Sequence, residues 1–503
     1  MRLVRTVLGN RGIAQLEATS ALSSLGAWTF SIALALYAYY EDGAGGVALA
    51  VAARMLPAAL LGPLAEQVVG GRQRRKVLAA TALLRFALLE AIAVVVANEM
   101  AFALLLALAA VFEVAGAVQR PVRTALLVEL ARTPGELAAA SAWRFADGAG
   151  FLAGGALAGV VVAASSGLDP AFAAAGVPFL GVALLAWRLP SAARPARARS
   201  PRGGVVAAAR QPWARLRLAL FGASALVQSM LELLLVVTAL DLLRIGSDGV
   251  GWLRVALAAG GLAGGAAAVG TLRRGRLTAS LVAGLVLAGA PLAVVAAWPE
   301  TGAAVVLLVL LGAGYALVEA ALLILSQRLV QPAALARLAR VEEIVYPLAR
   351  AAGTGLAAWL VVGLGDKEAL VVAALLLPAT ALLALPALRR AERTAVVPDE
   401  ALRILRSLPP LATVPPAMLE NLALCAAEES YEPDQQINGA GLRAIASGTV
   451  DVAGSQLGPG ACFGEATLLR DSGEATAKAV TPVTALAIGR ADFLSRVSGL
   501  GPE

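Results

Sequence analysis

The chain has no histidine. That removes the commonest metal ligand and the commonest general base at neutral pH. Cysteine is nearly absent: Cys425 and Cys462 are the only two in 503 residues. Two thiols make neither a disulfide framework nor a zinc site. Charged residues are 15% of the chain and aromatics 5%, whereas an ordinary soluble domain carries about 25% charged residues. No metal site and no cofactor are expected. With no Ser/Lys or Asp/Asp set standing out, an enzyme is not expected either.

What the chain has in excess is apolar. Hydrophobic residues reach 59% and mean hydropathy is +0.78, too much for a single water-bathed core. A membrane-spanning helix needs about 20 mostly apolar residues. Twelve such segments can be read: 17–40, 44–66, 77–97, 100–119, 137–164, 170–188, 215–243, 248–271, 277–298, 302–326, 334–363 and 367–388. Met1 to Arg11 is basic and leads into a full-length span, so no cleavable signal is expected. The lipid bilayer is the first partner the composition implies.

The formal net charge of +7 would suggest nucleic acid in a soluble protein. Here the cations sit in alternate loops, where they set topology, and no nucleic-acid partner is expected. One set of loops carries Arg72, Arg74, Arg75 and Lys76, then Arg120, Arg123 and Arg132, then Arg194 to Arg210, Arg273 to Arg276, and Arg328 to Arg340. The other set holds Glu41, Asp42, Glu99, Asp169, Asp248, Glu300 and Asp366, with only Arg244 and Lys367 as cations. The positive-inside rule therefore predicts both termini in the cytoplasm, and an even span count agrees.

The Pro-, Ala- and Arg-rich stretch 191–214 divides the spans into two sets of six, 1–190 and 215–390. An internal echo supports the division. LVELARTPGEL (127–137) and LSQRLVQPAAL (325–335) each combine a span end, a basic turn with Pro and the next span. They fall at equivalent places in the two halves, as in transporter repeats. After a linker at 391–401, residues 402–503 alternate short strands and turns, the pattern of a small soluble β unit.

Charge within a span costs a few kcal/mol (about 2.5–3.5 on insertion scales) and marks function or helix pairing. The candidates are Arg54, Arg85, Glu90, Glu113, Arg144, Asp147, Glu232, Glu319, Glu342, Glu343 and Arg350. Arg144 and Asp147 lie three apart, on one helix face.

GPLAEQVVGGRQRRK (62–76) resembles the loop between the second and third spans of the major facilitator superfamily, with Gly62, Glu66 and the cations Arg72, Arg74, Arg75 and Lys76 in its roles. GFLAGGALAG (150–159) resembles the Gly-rich fifth span of family antiporters. QRPVRTALLVEL (119–130) resembles a turn of bacterial efflux-like members. The tail resembles a cyclic-nucleotide-binding domain: AIASGTVDV (444–452) its strand-turn-strand, LGPGACFGEATLLRDSGEATA (457–477) its phosphate cassette, ADFLSRV (491–497) its last helix. Bacterial proteins joining the two modules form a recognisable family.

The resemblance implies an all-α membrane protein of twelve transmembrane helices in two six-helix bundles, plus a small C-terminal β-roll domain, in a bacterial inner membrane. It implies a secondary transporter of a small molecule, with protons as a candidate coupling ion. A membrane sensor built on the same fold is the alternative. Spans one, four, seven and ten line the cavity in this fold, which favours Glu113, Glu232 and Glu319 there, with Trp28 and Tyr315 as candidate aromatics. Glu66 and the run 72–76 would latch a cytoplasmic gate. In the cassette, Phe463, Gly464 and Glu465 match, but Glu474 falls where the phosphate-binding Arg belongs. A carboxylate there repels a cyclic phosphate, so no cyclic nucleotide is expected as a partner.

Overall fold

The computed structural model describes residues 8–61, 73–133, 136, 145–164, 167–190, 212–272, 277–329, 332–394, 399–411, 414, 416–439, 441–469 and 475–498. In lipid every backbone polar group must be satisfied within the protein, and long apolar runs meet that demand as helices.

The first helix, α1 (Arg11–Leu61), has 51 residues. At 1.5 Å per residue a straight rod would be about 77 Å long, more than twice the hydrocarbon thickness. It is not straight. Asp42 (φ −147°, ψ 35°) and Gly43 (φ 53°, ψ −142°) leave the helical region, and the left-handed angle falls on the one residue type that adopts it without Cβ strain. The chain reverses at this point. A Cβ on Gly46 would lie 2.1 Å from the Ala38 carbonyl oxygen. Arg54 on the second arm donates to Ser31 on the first at 3.1 Å.

Ten further helical stretches among the described residues carry the rest of the membrane part: α2 (Arg74–Ala97), α3 (Phe102–Leu130), α4 (Phe145–Ala164), α5 (Asp169–Arg188), α6 (Pro212–Val237), α7 (Gly246–Leu272), the broken pair α8 (Leu277–Leu287) and α9 (Ala290–Ala297), α10 (Thr301–Leu329), α11 (Pro332–Leu364) and α12 (Asp366–Thr394). A π turn, Thr238–Leu242, extends α6. Ten helices among the described residues are long and apolar enough to cross a membrane. The count differs from twelve for two reasons. The α1 hairpin counts once, and α4 contributes only a shorter apolar stretch, Ala153–Ala164. Side chains such as Leu383 (83% exposed) and Val362 (80%) face outward, as a lipid-covered surface allows.

The second membrane set ends later than its hydropathy suggests, since α12 runs to Thr394. The tail then opens with α13 (Asp399–Ser407), a 3-10 turn and α14 (Pro416–Cys425). Eight strands follow: β1 (Ala427–Tyr431), β2 (Gln436–Gly439), β3 (Gly441–Ser447), β4 (Val450–Val452), β5 (Ser455–Leu457), β6 (Cys462–Phe463), β7 (Ala475–Ala479) and β8 (Val483–Gly489). They form two four-stranded antiparallel sheets, ordered β1-β8-β3-β6 and β2-β7-β4-β5. Ile437, Ile445, Val450, Phe463 and Ala485 fill the space inside. A short helix, α15 (Ala466–Leu469), lies between β6 and β7, and α16 (Arg490–Ser498) closes the unit.

The tail is docked on the membrane part. Helix α14 packs on α10, and α16 on α11. One apolar cluster runs from Ile13, Leu78, Val122 and Leu126 of the first half into Leu405, Leu422 and Phe493 of the tail. The face it covers is called the tail side below, and the opposite one the far side.

Candidate functional site

Buried charges from both halves meet near the middle of the membrane helices. Glu232 on α6 is 5% exposed. Arg350 on α11 bonds one of its oxygens, and Arg54 on the second arm of α1 lies 3.9 Å from the other. Arg54 also reaches Glu113 on α3 at 3.6 Å. Arg254 on α7 donates to the backbone carbonyl of Glu232 at 3.5 Å, and its guanidinium stands 5.8 Å from the Trp28 ring of the first half. Neighbouring hydroxyls fix the frame. Ser229 donates to the Arg350 carbonyl at 2.6 Å and bonds the Thr354 hydroxyl. A fourth buried cation, Arg85, is held differently, 4.0 Å from the Phe112 ring and 4.4 Å from Phe179, with Gln119 accepting at 3.3 Å.

The halves close on each other at the far side. Tyr39 at the end of the first α1 arm bonds Asp241 in the π turn of α6. Helices α4 and α7 touch backbone to backbone: a Cβ on Gly251 would lie 2.6 Å from Gly159 Cα. On the tail side of the charge cluster a cavity of about 250 Å³ opens, lined by residues that include Arg217, Gln228, Glu319, Glu342 and Tyr346. Arg217 and Glu342 pair across it, α6 to α11.

The expected site residues thus fall into groups. Arg54, Glu113 and Glu232 come together, joined by Arg350. Glu319 and Glu342 share the separate cavity of the second half. Glu343 is exposed. The Tyr315 hydroxyl is buried without a hydrogen-bond partner among the described residues. Of the basic run, Arg74 pairs with Glu129 and Arg75 donates to the Leu189 carbonyl at 3.2 Å, both inside the first half. Gly62, Glu66, Arg72, Arg144 and Glu474 lie outside the described residues, as does the side chain of Asp147. In the tail, Phe463 is buried, and Gly464 turns with φ 83°. Just beyond Glu465, Thr467 accepts from the Gly441 amide and donates to the Gly464 carbonyl, both at 2.8 Å.

Arg254 and Arg217 escaped the reading of the sequence. Arg254 gave the same signal as Arg54, a lone cation inside an apolar window. Arg217 sits near a span end, where a cation reads as topology.

Residues 18–341 match the Major Facilitator Superfamily. The chain belongs to that superfamily. Its members are transporters rather than enzymes, and this superfamily member is a multi-pass membrane protein. Two solved structures share the fold. The human organic anion transporter MFSD10 (TETRAN) aligns with a TM-score of 0.52 at 16% identity, over 74% of this chain and 99% of that one. A D-xylose-proton symporter aligns with a TM-score of 0.58 at 15% identity, over 74% of this chain and 96% of its own. At such identities the likeness concerns the fold alone. No curated protein matches the chain in sequence.

Proposed function

We propose that the chain is a secondary active transporter that moves a small molecule by alternating access. Twelve helices, counting the two arms of α1 and the α4 segment, form two six-helix halves, 1–190 and 215–390. Both termini lie in the cytoplasm of a bacterial inner membrane. The observation that carries the reading is the ion cluster of Arg54, Glu113, Glu232 and Arg350. It joins the halves at mid-depth, between the far-side contacts of Tyr39 with Asp241 and Gly159 with Gly251 and a cavity within the second half. Buried ion pairs add little net stability over apolar packing. A cluster placed at the joint is better suited to being made and broken as the halves rock. Proton coupling would fall to Glu113 or Glu319, since Glu232 is enclosed by guanidinium groups as their counter-ion. Glu66 and the run from Arg72 to Lys76 act as a gate latch in this scheme.

The tail, 402–503, is read as a cyclic-nucleotide-binding fold that no longer binds nucleotide and serves docking or regulation. Its two sheets, the Gly464 turn and the flanking helices support that kinship. The full chain should then show no saturable binding of cyclic AMP or cyclic GMP by calorimetry.

Transport is tested in proteoliposomes bathed in a small-molecule cell extract, with the retained solutes identified by mass spectrometry. At least one solute should accumulate above protein-free vesicles. None accumulating under any imposed ion gradient favours a non-transporting sensor, to which the docked tail also lends itself.

A further inference from the structure

We infer that the centre of the protein is an anion site, and that the transported molecule, on the transport reading above, carries a carboxylate or an equivalent single negative charge. Three guanidiniums, Arg54, Arg254 and Arg350, are buried in the cluster at 3%, 2% and 6% exposure. Two carboxylates face them, Glu232 and Glu113. One positive charge is left over among the described side chains.

The geometry identifies the cation left over. Arg350 holds Glu232, and Arg54 lies between Glu232 and Glu113. Arg254 has no carboxylate within 4.0 Å among the described side chains. Its one hydrogen bond among the described residues, to the Glu232 carbonyl, is long at 3.5 Å. Arg85 is also buried and lacks a paired carboxylate among the described side chains, but two aromatic faces at 4.0 and 4.4 Å stand in for one. Arg254 has a single ring, at 5.8 Å. An uncompensated cation in the middle of a membrane protein is costly and is retained where it meets an opposite charge. The planar guanidinium fork matches a carboxylate edge to edge. Trp28 beside it offers an apolar face to the body of such a molecule.

The position adds a second reason. Arg254 belongs to the second half and Trp28 to the first. An anion bound between them is held by both halves, as a substrate that drives their rearrangement must be.

The test uses the full chain in lipid nanodiscs and three probes of one shape: benzoate, neutral benzamide and cationic benzamidinium. Thermal unfolding is followed at rising probe concentration. Benzoate should raise the midpoint saturably and the other two should not. Arg254→Gln should abolish the benzoate shift, while Arg254→Lys, which keeps the charge but not the fork, should weaken it roughly tenfold or more in apparent affinity. Should the Gln variant fail to fold, probe selectivity of the native chain and the Lys variant still decides. Preference for benzamidinium, no response to benzoate, or a shift that survives Arg254→Gln overturns the inference. Binding is read without flux, so benzoate bound but not moved would count against transport and leave the anion site standing.

Discussion

At the scale of the residue, the cluster rests on Glu232. Its removal strands Arg350, with Arg54 and Arg254 close by. Breaking a buried pair by deleting one partner costs about 3–5 kcal/mol, whereas removing both partners is often nearly neutral. Glu232→Gln is therefore expected to lower the unfolding midpoint sharply in detergent, and Glu232→Gln with Arg350→Met to recover much of the loss. A double variant no better than the single one would show that Arg350 is held by something else. The sequence displayed both residues as charges inside spans, but not their pairing. They lie 118 positions apart, and only the packing of α6 on α11 brings them together. A second residue-scale expectation concerns the tail. Burial, with Glu465 adding to it, pushes the Cys462 thiol from 9.0 up to about 11. Below pH 9 its thiolate fraction, and so its alkylation rate in a Cys425→Ser chain, should be about 100-fold lower than for an unburied thiol. The folded tail favours the neutral thiol, so that contribution to stability is intact below pH 9 and fades as pH rises through about 11. Alkylation as fast as that of free cysteine at pH 8 would show the site to be open.

Among the elements, two glycine contacts separate motion from stability. Gly260 on α7 sits against α10, where a Cβ would be 1.9 Å from the Val309 carbonyl oxygen. That contact lies within one half. Gly251 lies on the same helix but touches Gly159 of the other half. Close helix approach in membranes depends on such small residues. Gly260→Leu should lower stability with little change in the balance of states. Gly251→Leu should open the far side instead, lengthening the distance between spin labels at positions 41 and 366. Equal effects of the two would deny that the α4–α7 contact is a moving seam. Hydropathy made the helices legible, because lipid allows little else. It placed the turn at Asp42–Gly43, between the spans 17–40 and 44–66, but not the break between α8 and α9 at Gly289, because a local backbone angle leaves no trace in an apolar average. The tail's strands were legible as short alternating segments. Their order was not, since β1 pairs with β8, the two ends of the unit's strand sequence.

For the whole molecule, the alternation of charged loops makes a topological commitment. Reporter fusions after Lys76, Arg202 and Arg393 should be active as cytoplasmic reporters, and fusions near Asp42 and Asp366 as extracytoplasmic ones. One reversed pair would break the arrangement of two six-helix halves. If the halves rock as proposed, the docked tail has a kinetic consequence as well. It is fastened to α10 and α11 of one half, while its apolar cluster continues into Ile13, Leu78 and Val122 of the other. A rigid body glued to two parts that must swing apart has to let go of one of them on every cycle. On the alternating-access reading proposed above, the tail would then act as a governor: the speed of the cycle would be capped by how fast that apolar seam peels, and anything that grips the tail would set the tempo without touching the cargo.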